Sequence, residues 1–238
     1  MSLPSGSPAI AQQAAFYNSI WEKSPDFING DELQRCTVIL GAIRELAIDG
    51  PKILDFGCGT GWLSSILSLI GPTTGIDLSE EAINKARKRF PSVRFVAGDA
   101  LTLNDDGQFD IVVSQEVIEH VDNAEAYLRV AHRLLRPGGY LILTTPNGAL
   151  KQHLPDLCFQ PIENWLKLTQ LRATATKCFH VRRMETFLFG QGYTGKYRII
   201  NAPKLWAALK GIGMFAAYRH FYLRPRHGLR IVMVARKA

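Results

Sequence analysis

Between residues 50 and 148 the chain alternates short apolar runs with stretches whose apolar positions recur at helical spacing. Ile53-Leu54, Thr73–Asp77, Val93–Ala97, Ile111–Val113 and Tyr140–Thr145 are the runs. Continuous apolar residues such as 111–113 suit strands covered on both faces. Trp62–Ile70, 80–89 and Asn123–Leu135 read as the intervening helices. In the second of these, Glu80 and Glu81 come first and Lys85, Arg87, Lys88 and Arg89 last, the order a helix dipole favours, with Ser79 as N-cap. This alternation predicts one α/β domain with a mostly parallel sheet and helices on both faces. Upstream, residues 9–49 predict helices, broken by Pro25 and an Asn29-Gly30 turn. Leu229–Ala235 predicts a final strand.

The first strand runs into three glycines at alternate positions, Gly57, Gly59 and Gly61, and a helix follows at once. A strand, a glycine turn and a helix N-terminus make a nucleotide cradle, because glycine admits φ > 0 and a close ligand. A dinucleotide fingerprint needs G-x-G-x-x-G, but its last position here is Trp62. Asp55 stands two residues before the first glycine. A carboxylate there repels pyrophosphate and suits an ammonium group, so the loop fits a nucleoside carrying an amino acid better than NAD. Asp77 ends the second strand, where an acid accepts hydrogen bonds from ribose hydroxyls.

Leu54-Asp55-Phe-Gly57-Cys58-Gly59-Thr-Gly61 resembles motif I of class I S-adenosylmethionine (SAM)-dependent methyltransferases. The resemblance is tight over roughly residues 50–148 and loose beyond. It implies a Rossmann-like sheet of seven strands with the seventh antiparallel. SAM would be the cofactor, S-adenosylhomocysteine the product. Asp55, Gly57, Cys58, Gly59, Gly61, Asp77 and Leu78 are its implied cofactor residues. Asp99 and Ala100, after the third strand, are implied at the adenine. Gln115-Glu116-Val-Ile-Glu119-His120-Val resembles the strand-four signature of the ubiquinone-biosynthesis O-methyltransferase branch, which places Gln115 on the cofactor. His120 is either a general base or a residue that orients the turn. Phe179–Tyr193 looks like the last helix of such a fold. N-terminal helices often form a lid in the family, so Tyr17, Trp21 and Arg35 either touch the cofactor or acceptor, or the aromatics belong to the core. The expected organisation is a helical lid (1–49), a cofactor core (50–148) and a C-terminal part of the same domain (149–238). Acceptor-site insertions are expected at 149–178 and 203–228.

Composition refines this picture. The chain has 238 residues and a net charge of +7, with 47% apolar residues. No run is long enough to cross a membrane, and no leader pattern opens the sequence. Four cysteines without a C-x-x-C pair suggest a reducing compartment, so a cytoplasmic protein is expected. His153, Cys158, Cys178 and His180 lack paired ligand spacing, and no metal is expected. Residues 1–150 carry 12 Lys and Arg against 18 Asp and Glu, a charge of −6; residues 151–238 carry 16 against three, +13. The basic half suits an anionic small-molecule acceptor or is a solvated surface. Nucleic acid is not an expected partner.

Residues 203–223 are nearly all apolar or aromatic, with Arg219, His220, Arg224, Arg226, His227 and Arg230 at or beyond the far end. The segment fits a helix at a membrane surface, an acceptor lid, or a helix packed on the sheet. The activity expected is methyl transfer to a small-molecule or lipid-linked acceptor, to oxygen first, with N- or C-methylation or a non-catalytic SAM-binding module as alternatives.

Overall fold

The computed structural model describes residues 8–23, 30–153, 162–187, 199–200, 202–223 and 227–238. Pro25, Asn29, Cys158, Tyr193, Arg224 and Arg226 lie outside those residues. The strands are β1 (Ile53–Phe56), β2 (Thr73–Asp77), β3 (Arg94–Ala97), β4 (Phe109–Gln115), β5 (Leu135–Pro146), β6 (Phe179–Phe187) and β7 (Arg230–Lys237). They form one seven-stranded sheet in the order β3-β2-β1-β4-β5-β7-β6. β1 to β5 pair in parallel, and β7 runs antiparallel to both β5 and β6. The strand order reverses between β1 and β4, the switch point where open α/β sheets receive ligands.

The period of two along each strand decides which helix it meets. Ile53, Ile111, Val113 and Ile142 face a cluster with α2 (Gly30–Leu46) and α3 (Trp62–Leu67). Their neighbours Leu54, Val112, Leu141 and Leu143 face the other way, toward α5 (Ala124–Leu134) and α6 (Leu168–Ala175). Both faces are therefore covered, as continuous apolar strands require. α4 (Glu80–Arg89) begins at Ser79, whose side chain accepts from the Ala82 N–H at 3.1 Å. α5 begins at Asn123, which caps Ala126 in the same way.

One element departs from the sequence reading. Phe179–Phe187, the described part of the stretch expected to be the last helix, is the edge strand β6. Phe179 and Val181 face the main core cluster while His180 and Arg182 point to solvent, a period of two rather than 3.6. A register shift between Val181 and Arg183 interrupts the alternation, which is why the stretch lacks a clean strand pattern.

The first helix, α1 (Pro8–Lys23), is fixed over the edge of the switch point. The Ser79 hydroxyl pairs with Asn18 Oδ1 at 2.6 Å, and Lys85 Nζ donates to the Trp21 carbonyl at 2.5 Å.

Candidate active site

A cavity of about 550 Å³ opens at the carboxyl ends of β1, β2 and β4, within the range of small-ligand sites. Tyr17, Arg35, Asp55, Gly57, Cys58, Gly59, Asp77, Leu78, Asp99, Ala100, Gln115 and His120 all line it. The structure thus brings together residues from six separate stretches of chain. Gly61 does not line it. It is the N-cap of α3 with φ +80, and a Cβ there would stand 2.6 Å from Phe95 and 2.9 Å from Ala86. Gly61 serves close helix packing instead of ligand approach.

The glycine loop is held by the acid of the next strand. Asp77 Oδ2 accepts from the Gly59 N–H at 2.8 Å, and Oδ1 accepts from the Ser79 N–H at 2.9 Å. Gly59 has φ +52, and a Cβ would come within 3.0 Å of the Trp21 ring. The loop, the lid helix and Asp77 are thereby one assembly. Each oxygen of a carboxylate has two lone-pair positions, so Asp77 retains acceptor capacity toward the cavity.

Asp55 is buried at the end of β1, where Ser64 donates to its Oδ2 at 2.6 Å. Burial, reinforced by the nearby charge of Asp77, pushes its carboxyl up to about 7. Asp77 is also raised, again mainly by burial. The cavity is therefore acidic and poorly solvated, a setting that favours a cationic ligand group. Burial and the charges of Asp77 and Glu119 raise the Tyr17 phenol, which stays neutral.

Three buried polar atoms of residues lining this cavity lack a hydrogen-bond partner among the described residues: Gln115 Oε1, Glu116 Oε1 and Arg35 Nε. Orphaned buried atoms are rare, and at a cavity wall they mark where a ligand supplies the missing bond. His120 donates from Nδ1 to the Ile162 carbonyl at 2.9 Å. A carbonyl only accepts, so the proton sits on Nδ1 in the neutral ring, and Nε2 carries the lone pair.

In and behind the wall lie residues to which sequence reading assigned no role; Glu116 and Tyr127 line the cavity themselves. Glu116 has φ +55 and forms an ion pair with Arg230, Oε2 to Nε at 2.6 Å, which ties the exit of β4 to the start of β7. Glu119 is buried and accepts from the Thr145 hydroxyl at 2.9 Å. Burial, with Glu116 close by, raises its carboxyl well above the usual range. Glu119 Oε1 is 3.6 Å from His120 Nε2. Tyr127 lines the cavity and shares a hydrogen bond with Ser114 at 2.8 Å. None of these had a sequence signal beyond apolar or polar spacing. Only the positions of Glu116 and Glu119 beside His120 hinted at them.

The sheet order with an antiparallel seventh strand, and a cavity at the glycine loop, define the class I methyltransferase fold. Residues 54–143 match the family model described as a methyltransferase domain. It is 32% identical over 153 residues to the ubiquinone biosynthesis O-methyltransferase of Pseudomonas aeruginosa (strain LESB58), a match spanning 61% of this chain and 65% of that relative. The matched stretch is thus under two thirds of the relative's length. The N-methyltransferase NodS from Bradyrhizobium japonicum WM9, solved with S-adenosylhomocysteine, superposes with a TM-score of 0.64 at 16% identity, covering 93% of this chain and 98% of that one. The [4+2]-cyclase SpnF superposes with a TM-score of 0.63 at 20% identity, covering 100% and 99%. Fold likeness at such identities leaves the reaction open.

The cofactor of this domain class is SAM, and the residues present fit it. The acid at Asp55, the remaining acceptor capacity of Asp77, and the orphaned Gln115 and Arg35 atoms match an ammonium, a ribose, and further polar groups of an amino-acid nucleoside.

Proposed function

We propose that this protein transfers a methyl group from SAM to a small-molecule acceptor, at oxygen. The observation that carries the reading is the set of acids at successive strand ends, Asp55, Asp77 and Asp99, around one cavity floored by the glycine loop. When bound, SAM supplies an electrophilic methyl on a sulfonium. Asp55 holds the ammonium end and Asp77 the ribose. Asp99 and Ala100 meet the adenine. Gln115 and Arg35 complete their hydrogen bonds on the ligand. The lid helix, through Tyr17 and Trp21, keeps water from the reacting centre.

His120 is the residue placed to take the acceptor's proton. Its Nδ1–H is committed to Ile162, which fixes the ring and leaves Nε2 as the basic atom. Oxygen as the acceptor atom is favoured by the relatives' named chemistry and by this base, because a hydroxyl must lose a proton as it is methylated. The basic C-terminal half favours an acceptor with anionic character.

The test is a screen of hydroxylated small molecules for release of S-adenosylhomocysteine. Turnover with a phenol or carboxylated phenol supports the reading. SAM binding without turnover of any oxygen, nitrogen or carbon acceptor would leave a binding module in its place.

A further inference from the structure

Residues 199–223 are distinct from the cavity: none of their described residues lines it. Their two helices, α7 (Pro203–Gly211) and α8 (Phe215–Tyr218), bury none of their residues against the rest of the domain. Instead the two helices close on each other. The Trp206 and Phe215 rings meet at a tilt, 5.6 Å between centroids. Trp206 Nε1 and the Tyr218 hydroxyl both donate to the Ile200 carbonyl, at 3.0 and 3.1 Å. Gly213, with φ +71, turns the chain between them. The segment's anchors among the described residues are Ile200, which packs with Leu150 and Leu229, and Leu223, fully buried, whose carbonyl accepts from Thr186.

The hairpin therefore satisfies its own aromatics and leaves aliphatic residues at its turn in water. Ile212 is 68% and Met214 56% exposed; Phe221, beyond the second helix, is 76% exposed. Its charges are of one sign. After Glu185 the chain has ten Lys and Arg and no Asp or Glu, and Lys204, Lys210 and Arg219 are exposed beside these apolar residues.

We propose that this hairpin docks the protein onto an anionic lipid bilayer. Exposed aliphatic and aromatic side chains interspersed with cations, on a short helical projection, match an interfacial surface. The apolar groups enter the headgroup region while the cations meet lipid phosphates. No helix among the described residues is long and apolar enough to cross the membrane, so the contact is peripheral. The cations favour lipid over a second copy of this chain, because two copies of one acid-free face repel. The inference does not depend on methyl transfer, since flotation needs no acceptor.

The experiment is flotation of the full chain with vesicles of phosphatidylcholine alone and of phosphatidylcholine with one quarter phosphatidylglycerol. The wild type should float with the anionic vesicles and not the neutral ones, and 0.5 M salt should weaken it. Ile212→Asp with Met214→Asp should lower the bound fraction at least tenfold while S-adenosylhomocysteine affinity stays unchanged. Lys204→Glu with Lys210→Glu should do the same, and it leaves the apolar turn intact. A wild type that does not float, or variants that float equally well, would overturn the proposal. So would a wild-type dimer that either variant converts to a monomer without altering flotation.

Discussion

The acid at the end of β1 makes cofactor affinity depend on pH in a calculable way. Asp55 is pushed up to about 7 by burial and by Asp77. A ligand ammonium placed beside it would favour the carboxylate and pull its pKa down. Binding then releases a proton wherever the free protein holds one. At pH 5.5 roughly 3% of a group with a pKa of 7 is ionised, and at pH 7.5 about 75%, so affinity should rise about twenty-fivefold between them. The ligand's own α-amino group loses its proton only above about 7.7, which sets the upper end of the window. The assay is calorimetry of S-adenosylhomocysteine binding at pH 5.5, 6.5 and 7.5, in buffers of different ionisation enthalpy. Close to one proton should be released per ligand at pH 6. Asp55→Asn should bind more weakly and lose most of the pH dependence; any that remains belongs to Asp77, which is raised in the same direction. Stability of the free protein carries the opposite trend. A carboxyl raised on folding stabilises below its unfolded value near 4, and that contribution is lost as pH rises toward 7, by up to about 4 kcal/mol. A wild-type affinity flat from pH 5.5 to 7.5, or an unchanged slope in Asp55→Asn, would refute the ammonium assignment.

Three further outcomes are expected. Asp77→Ala should weaken S-adenosylhomocysteine binding more than tenfold, because the Gly59 and Ser79 N–H groups lose their acceptor as well as the ribose; an unchanged dissociation constant by calorimetry would count against it. His120→Ala should leave cofactor affinity near wild type while turnover falls by about two to four orders of magnitude. Retained turnover in a single-turnover assay would make His120 a positioning residue for the Ile162 segment. Arg230→Met should cost about 3–5 kcal/mol, since it strands Glu116 and removes the cation that offsets Glu119. Thermal unfolding should show part of that loss restored by adding Glu116→Gln, and strictly additive losses would mean the pair is not coupled.

What could be read from the sequence followed the range of the signal. The glycine loop, its flanking strand and the Asp77 strand end are local patterns, each fixed by a few consecutive residues, and all of them reached the cavity except Gly61. At that position the helix start and the Phe95 ring need the missing side chain, and spacing alone does not distinguish this from ligand approach. The edge strand β6 was misread because its pairing with β7 is non-local and its bulge spoils the alternation. The same reason hid the ion pair of Glu116 with Arg230, which are separated by most of the C-terminal half yet meet where β7 enters beside β4's exit.

The site therefore has two kinds of support. One is local: the loop is shaped by Asp77, whose two oxygens accept from the backbone of the glycine loop and of the turn after β2. The other is long-range: Glu116, held in a left-handed conformation that a side chain rarely adopts, is compensated by a cation from the last strand. A strained residue persists only where its surroundings over-determine it. Here that strain aims Gln115 and the following turn at the cavity, with Glu119 and His120 immediately downstream. The last strand's place between β5 and β6 is thus tied to the chemistry of the wall, although no residue of β7 lines the cavity.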